Sequence, residues 1–230
     1  MKTIGMIGGM SWQSTIEYYR LVNESIQEKL GGLHSAKCVL YSVDFAEIEE
    51  LQRHGEWNKA AEALVGAAQG LEKAGTDFVL ICTNTMHKLA DAVQASIGIP
   101  LLHIADATAE AVRRAGLRRV GLLGTRFTME EEFYRGRLAN RFGLEVVVPD
   151  AEDRQTVHRI IYEELCAGAV RSGSKALVSG IINRLETLGA RGVILGCTEL
   201  GLLVDAGDSP LPLFDTTRLH ARAAVDWAMS

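Results

Sequence analysis

Residues 79–85 read VLICTNT and residues 193–199 read VILGCTE, so the chain carries two versions of one segment, 114 positions apart. In both, an apolar run gives way to small and hydroxyl-bearing residues, which is typical of a buried strand that ends in a loop. Two more pairs recur in the same order. IGMIGGM from residue 4 resembles VGLLGTR from residue 120, and IPLLHIAD from residue 99 resembles LPLFDTTR from residue 211. Offsets of 116, 114 and 112 predict an internal repeat; shared strand composition is the alternative.

Short apolar runs alternate with longer amphipathic segments along the whole chain, which predicts an α/β fold with parallel sheets. The predicted strands are residues 3–7, 38–43, 78–81, 100–103, 120–123, 145–148, 192–195 and 212–214. Helices are expected to begin near Thr15, Ala60, Asn84, Ala105, Met129, Asp153, Ser174 and Thr216. The repeat predicts two similar Rossmann-like lobes: residues 1–98 with 208–230, and residues 99–207. Ligands are expected at the carboxyl ends of the strands.

Composition limits the class of partner. The 230 residues are 47% hydrophobic and carry a net charge of −5 with scattered basic residues, so we expect a small-molecule substrate and no nucleic-acid or membrane partner. No apolar run is long enough to span a membrane, and the start lacks signal-peptide features, which predicts a cytoplasmic protein. Four cysteines without CxxC spacing predict reduced thiols and no metal site. The glycines of GMIGG do not fit GxGxxG, so no cofactor is expected.

The repeat assigns different roles to two adjacent residues, Cys82 and Thr83. Aligning the two segments places Thr83 over Cys197 and Cys82 over Gly196. Because side chains alternate along a strand, we expect Cys82 to pack in the core and Thr83 to face the exit loop, with helix capping as the alternative role of Thr83. Cys197 precedes a predicted helix, whose dipole would lower the thiol pKa; a buried structural thiol is the alternative.

Three motifs carry a family resemblance: GMIGGMSW near the start, ICTNTMH in the middle and VILGCTEL late. They resemble the aspartate/glutamate racemase family, whose members work without pyridoxal phosphate, and the resemblance covers essentially the whole chain. It implies two lobes related by pseudo-twofold symmetry, with the active site in the cleft between them. It also implies a homodimer, and a cysteine from each lobe on opposite faces of the substrate α-carbon. One cysteine removes the α-proton and the other returns a proton from behind.

The chain departs from this pattern at one position. The family's first motif usually reads Cys-Asn-Thr, so Thr83 stands where the first cysteine is expected and Cys197 matches the second. Either Thr83 delivers or relays a proton, or a bulge brings Cys82 into the site; strand alternation favours the first. A thiol ionises near pH 8.5 and an alkyl hydroxyl is a far weaker acid, so the two enantiomers should be processed unequally. Thr83 and Cys197 are the predicted catalytic residues.

The substrate class also follows from the resemblance. GGMSW and Cys197-Thr198-Glu199 stand where glutamate racemases carry Asp-Ser-Gly and Cys-Thr-His, which indicates the aspartate-type branch. The predicted substrate-binding residues are Gly9, Met10, Gln52, Asn84, Thr85, Thr125 and Thr198. Gln52 or Arg53 is expected on a loop that closes over the distal group, or on a solvated loop. Cys166 stands near the place of a family lysine that contacts a substrate carboxylate, so strict aspartate specificity is not expected.

Three functions remain open from the sequence. The first is a racemase for aspartate, glutamate or a close analogue. The second is a single-cysteine relative of the decarboxylase or cis-trans isomerase type, and the third is a non-catalytic amino-acid-binding module. His87, His103 and His220 each lie near a strand end or a helix start and are expected to be structural. Trp12 and Tyr19 are expected in helix packing or on a dimer face.

Overall fold

The computed structural model describes residues 1–230, which form two compact units. Unit 1 comprises Met1–Ile104 with His220–Ser230, and unit 2 comprises Ala105–Leu219. Each unit contains one four-stranded sheet in which every neighbouring pair of strands is parallel. The predicted α/β class is therefore confirmed, while the predicted lobe boundaries after residues 98 and 207 stay predictions. No helix combines the length and the apolar character that a membrane crossing requires.

Unit 1 has the sheet order β2-β1-β3-β4. Its strands are β1 (Ile4–Gly8), β2 (Cys38–Ser42), β3 (Phe78–Ile81) and β4 (Leu101–Leu102). Its helices are α1 (Trp12–Leu30), α2 (Phe45–Arg53), α3 (Trp57–Lys73) and α4 (Ala90–Ala95), with a 3-10 helix at Thr85–Leu89. Every residue of the central strands β1 and β3 is buried, because helices cover both faces of the sheet.

Unit 2 has the sheet order β6-β5-β7-β8. Its strands are β5 (Arg119–Gly124), β6 (Glu145–Val147), β7 (Val193–Gly196) and β8 (Leu213–Asp215). Its helices are α6 (Arg126–Glu130), α7 (Glu132–Phe142), α8 (Ala151–Glu163), α9 (Ser172–Thr187) and α10 (Leu200–Leu203), with 3-10 helices at Leu165–Ala167 and Ala206–Asp208. Helices α5 (Ile104–Arg114) and α11 (Thr216–Met229) each contain one of the boundaries between the units.

The pairing of the strands supports the internal repeat independently of sequence similarity. Gly5 of β1 lies opposite Val79 of β3, and Gly121, its repeat partner in β5, lies opposite Val193 of β7. Those two partners are the residues that the 114-residue offset aligns. Val79 is in turn paired with Leu101, and Val193 with Leu213, which reproduces the 112-residue offset. Thr83 and Cys197 therefore follow equivalent strands at equivalent positions.

All eight predicted strands are present, each within one or two residues of the expected bounds. The expected helix near Asn84 begins instead as the 3-10 helix Thr85–Leu89 and continues as α4. Helix α2 corrects a second expectation, because Gln52 and Arg53 lie in a helix and not in a loop. Its buried residues, Ile48 and Gln52, are four positions apart and share one face, and Asp44 caps its first turn.

Candidate active site

Cys82 belongs to the core of unit 1. Phe78, Leu80 and Cys82 pack into one hydrophobic cluster on one side of β3, whereas Val79 and Ile81 pack into the cluster on the other side. The Cys82 thiol is 1% exposed, and burial raises its pKa. A thiol in this position is a small apolar side chain that resists ionisation. The expectation that Cys82 packs in the core is confirmed.

Thr83 follows as the first residue beyond the alternating run and is partly exposed. The 3-10 helix after it has Asn84 as its N-cap residue, and no side-chain hydrogen bond caps it. The capping role considered for Thr83 is therefore absent. The carbonyl of Thr83 is bonded to the imidazole of His87, with Nδ1 and the oxygen 2.8 Å apart. Asn84 and Thr85, predicted to bind substrate, are buried in the same turn.

Gln52 approaches this turn from α2. It is 6% exposed, and its Nε2 donates to Sδ of Met86, 2.9 Å away. Arg53 points into a different environment, since more than half of its side chain is exposed and it lies 3.8 Å from Glu49. Of the two candidates for contacting the distal group of a substrate, Gln52 is the one packed against the Thr83 turn. Its role in binding substrate stays a prediction.

Gly9 and Met10 follow β1, the strand next to β3. Gly9 has a φ of +94°, and a side chain there would meet the backbone oxygen of Val43, so only glycine fits this turn. Its amide donates to Oγ1 of Thr15 over 2.8 Å. A substrate carboxylate would have to compete for that amide. Thus the structure gives Gly9 a turn-forming role, and the predicted binding roles of Gly9 and Met10 stay predictions.

Cys197 in unit 2 begins a compact acid–thiol cluster. Its Sγ donates a hydrogen bond to Oε2 of Glu199 over 3.0 Å, and the hydroxyl of Thr198 donates to the same oxygen over 2.5 Å. The three side chains are buried, with Glu199 only 2% exposed. They lie between β7 and α10, in the turn that corresponds to residues 83–85 of unit 1. The Cys197 thiol is therefore in direct contact with a carboxylate oxygen that can accept its proton.

The electrostatics of Cys197 differ from the sequence-based expectation. Burial, the Glu199 carboxylate and the Cys166 thiol all favour the neutral form, so the pKa of Cys197 lies well above its usual range. The predicted lowering by a helix dipole is wrong. Helix α10 has only four residues, and its start is occupied by a buried acid. The raised pKa favours the protonated thiol, which donates to Glu199.

Cys166 and Thr125 complete the polar surroundings in unit 2. Burial and then the Glu199 charge raise the pKa of Cys166, which places this second thiol within electrostatic range of the carboxylate. Thr125 follows β5, the strand beside β7, and is 5% exposed. Its hydroxyl caps α6 by accepting from the amide of Thr128 over 3.3 Å. Its predicted contact with substrate stays a prediction.

Glu199 is a candidate functional residue that the sequence motifs do not predict. The motif Cys197-Thr198-Glu199 indicates only the aspartate-type branch of the family. The repeat offers a signal, because Glu199 occupies the position of Thr85 and is a charged residue in an otherwise apolar and hydroxyl-bearing turn. An acid that is buried beside a thiol marks a candidate proton acceptor.

The sequence of the chain matches a known protein family. Residues 7–224 match the Asp/Glu/Hydantoin racemase family. The chain is a member of that family, and the resemblance drawn from its motifs is confirmed.

Three relatives illustrate the similarity over the whole chain. A candidate Asp/Glu racemase of known structure from Yersinia pestis is 55% identical, with both chains covered over 100% and a TM-score of 0.93. An aspartate racemase homologue from Pyrococcus horikoshii is 38% identical, again with 100% of both chains covered, at a TM-score of 0.86. The broad specificity amino-acid racemase RacX of Bacillus subtilis is 25% identical over 225 residues, which is 96% of each chain.

Proposed function

We propose that this protein is an amino-acid racemase that works without pyridoxal phosphate on aspartate, glutamate or a close analogue. The observation that carries the proposal is the hydrogen bond from the buried Cys197 thiol to the Glu199 carboxylate, which can accept its proton. Cys197 follows its strand at the position that Thr83 occupies in unit 1. Racemisation at an α-carbon needs a proton removed from one face and a proton supplied to the other. Membership of the Asp/Glu/Hydantoin racemase family supports the same reaction.

Glu199 gives Cys197 a route between its two protonation states. The thiol form suits proton delivery to the α-carbanion, and the thiolate form suits α-proton removal. In the proposed mechanism, binding of the substrate ammonium offsets the negative charge that opposes ionisation of Cys197. The thiol proton then passes to Glu199, which is 3.0 Å away. The cost of ionising a buried thiol falls when a cation enters the same site.

Thr83 gives the opposite face a different acid. A threonine hydroxyl stays protonated near neutral pH and its alkoxide is not populated, so Thr83 does not serve as the base. It can pass its proton to the α-carbon only while it takes up another proton from solvent. We propose that Thr83 delivers or relays that proton, and that Cys82 takes no part because it lies in the core. The enantiomer whose α-proton faces Cys197 is then the better substrate.

The groups proposed to hold the amino acid are polar residues of the four strand-end loops, namely Gly9, Met10, Asn84, Thr85, Thr125 and Thr198, with Gln52 on the distal group. A thiol at Cys166 offers no positive charge to a distal carboxylate. We therefore propose a preference broader than aspartate alone. The broad specificity of the relative RacX supports this breadth.

Deuterium incorporation at the α-carbon of L- and D-aspartate and glutamate tests the proposal. Incorporation with inversion is expected for the wild-type protein, and Cys197→Ala should abolish both. Thr83→Ala should reduce inversion by about tenfold or more while exchange at the Cys197 face continues, and Thr83→Cys should raise inversion. Cys82→Ala is the matched control and should retain activity. Full inversion in Thr83→Ala combined with its loss in Cys82→Ala would reverse the assignment of these two residues, and absence of exchange in the wild type would refute racemisation.

We also propose that the protein is a homodimer that associates through α1. Trp12, Ile16 and Tyr19 are 62%, 53% and 54% exposed and lie on one face of this helix, at spacings of four and three. The buried tyrosines Tyr18 of unit 1 and Tyr134 of unit 2 align in the repeat. With this alignment, Ile16 and Tyr19 of unit 1 correspond to Glu132 and Arg135 of unit 2. The fold therefore tolerates charge on this face, and its apolar character in unit 1 favours an interface.

A further inference from the structure

Three buried histidines meet beside the Thr83 turn in unit 1. The ring of His87 lies 4.5 Å from that of His103 and 5.8 Å from that of His220, measured between centroids. None of the three is more than 5% exposed. They come from separate segments: the 3-10 helix, the residue that follows β4 and the second turn of α11.

The hydrogen bonds of His87 fix its proton. The amide of Ile104 donates to Nε2 over 3.2 Å, so Nε2 carries no proton. The remaining proton lies on Nδ1, which donates to the carbonyl of Thr83 over 2.8 Å. Protonating Nε2 would set two N–H groups against each other. His87 is thus held as a neutral imidazole whose donor faces Thr83.

His220 is fixed in the other tautomer. The carbonyl of Leu102 only accepts hydrogen bonds, so Nε2 of His220 donates to it over 2.9 Å. Nδ1 is left to accept from the hydroxyl of Tyr18 over 2.8 Å. These bonds tie the His220 ring, which borders His87, to β4 and α1. With His103 also packed against His87, the donor on Nδ1 has little freedom to move.

The two units bond the carbonyls of the equivalent residues Thr83 and Cys197 in different ways. In a 3-10 turn the amide of His87 donates to the carbonyl of Asn84, 3.0 Å away, and is not available to Thr83. The side chain of His87 binds the Thr83 carbonyl in its place. In unit 2 Gly201 stands at the position of His87 and has no side chain, and the Cys197 carbonyl accepts from the backbone amide of Leu200, the residue equivalent to Met86, over 3.2 Å. The Cys197 carbonyl is thus bonded through the backbone, and the Thr83 carbonyl through a side chain.

We infer that His87 is a positioning residue for Thr83, kept in its donating tautomer by Ile104 and in place by His103 and His220. The inference rests on the proposed role of Thr83 in proton delivery. His87 does not contact the reacting atoms in this scheme. It orients the turn that carries the Thr83 hydroxyl, and its loss should selectively impair proton delivery by Thr83.

Histidine-to-asparagine and histidine-to-alanine variants at position 87 test this inference through the ratio of inversion to α-deuterium exchange. An asparagine amide places an N–H donor near the position of Nδ1, whereas alanine has none. His87→Ala should lower the ratio of inversion to exchange about fivefold to tenfold, because it removes one neutral hydrogen bond. Exchange at the Cys197 face should stay within about twofold of wild type. His87→Asn should recover most of the ratio. The exposed histidine variant His34→Ala is the control and should match the wild type.

Thermal unfolding of each variant separates positioning from folding. A uniform fall in exchange and inversion that follows the loss of folded protein would mean that His87 is only structural. Failure of His87→Asn to restore the ratio in a folded protein would likewise overturn the inference. If Thr83→Ala leaves inversion intact, the proposed role of Thr83 in proton delivery is refuted, and the positioning role of His87 is refuted with it. If Thr83→Ala impairs inversion and His87→Ala does not, the positioning role alone is refuted.

Discussion

Replacing Glu199 by glutamine should move the reactivity of Cys197 and the catalytic rate in opposite directions. Glu199 is 2% exposed, and its Oε2 lies 3.0 Å from the Cys197 sulfur. Its negative charge raises the pKa of that thiol, so the neutral, nearly isosteric glutamine lowers the pKa. The thiol should ionise more easily, yet the protein loses the group that takes its proton.

The expected loss in kcat is about 10²- to 10³-fold, which lies within the ~10²- to 10⁴-fold contribution typical of general acid–base catalysis and corresponds to about 2.7–4 kcal/mol. Exchanging a charge-assisted hydrogen bond for a neutral one accounts for only about 0.5–2 kcal/mol. A loss near the upper range therefore indicates lost proton transfer and not merely a weaker hydrogen bond. Stability should change little, because the glutamine oxygen can still accept from Cys197 and Thr198.

Iodoacetamide alkylation of Cys197, followed by peptide mass spectrometry across a pH series, measures the thiol. Alkylation of the Glu199→Gln protein should be faster than that of wild type near neutral pH. The matched control is Glu164→Gln, which removes another buried carboxylate in unit 2, one bonded to Ser174 over 2.6 Å. This control should keep the alkylation rate of Cys197. Unchanged or slower alkylation together with unchanged kcat in Glu199→Gln would refute the role of Glu199.

Two further predictions concern stability and assembly. Burial raises the pKa of Cys82 in the folded protein above its value of about 8.5 in the unfolded chain. Below pH ~8.5 the thiol is protonated in both states and its contribution to the free energy of unfolding is complete. Above that pH the unfolded chain ionises first, so the free energy of unfolding falls by up to about 1.4 kcal/mol per pH unit. Urea unfolding should show a shallower alkaline decline in Cys82→Ala than in wild type, and an identical decline would contradict the burial argument. Ile16→Glu should convert a dimer into a folded monomer in sedimentation velocity, whereas exposed Glu24→Gln on the same helix should not. A monomeric wild type would refute the proposed interface.

The strand architecture could be predicted because it depends on local pattern. A parallel strand buried on both faces reads as a short apolar run, and the sequence repeat alone predicts that Thr83 and Cys197 are equivalent. The pattern does not predict that Gln52 and Arg53 lie in helix α2. The last residues of this helix and those that follow it, ELQRHGE at 50–56, form a polar stretch that suggests a loop, and only the contact of Gln52 with Met86 shows why Gln52 faces inward.

The chemistry of the site depends on contacts that have no local signature. The pKa of Cys197 follows from burial and from a carboxylate two residues away, and these outweigh the short helix that the sequence suggested. His87 and His220 form hydrogen bonds to backbone groups, as expected of structural histidines, and His103 is buried against the His87 ring. Their meeting required the topology, because His87 and His103 follow adjacent strands β3 and β4.

The matching strand registers of the two units have an evolutionary consequence. A protein built from two identical subunits must carry every substitution twice, so a change that helps one copy is imposed on the other. In a single chain with two copies of the sheet, each copy can accumulate its own residues. One copy carries imidazoles and a hydroxyl around its turn, and the other a thiol and a carboxylate, on strands that keep the same register. Tandem repetition thus lets one chain present two different sets of proton-carrying groups on equivalent frameworks.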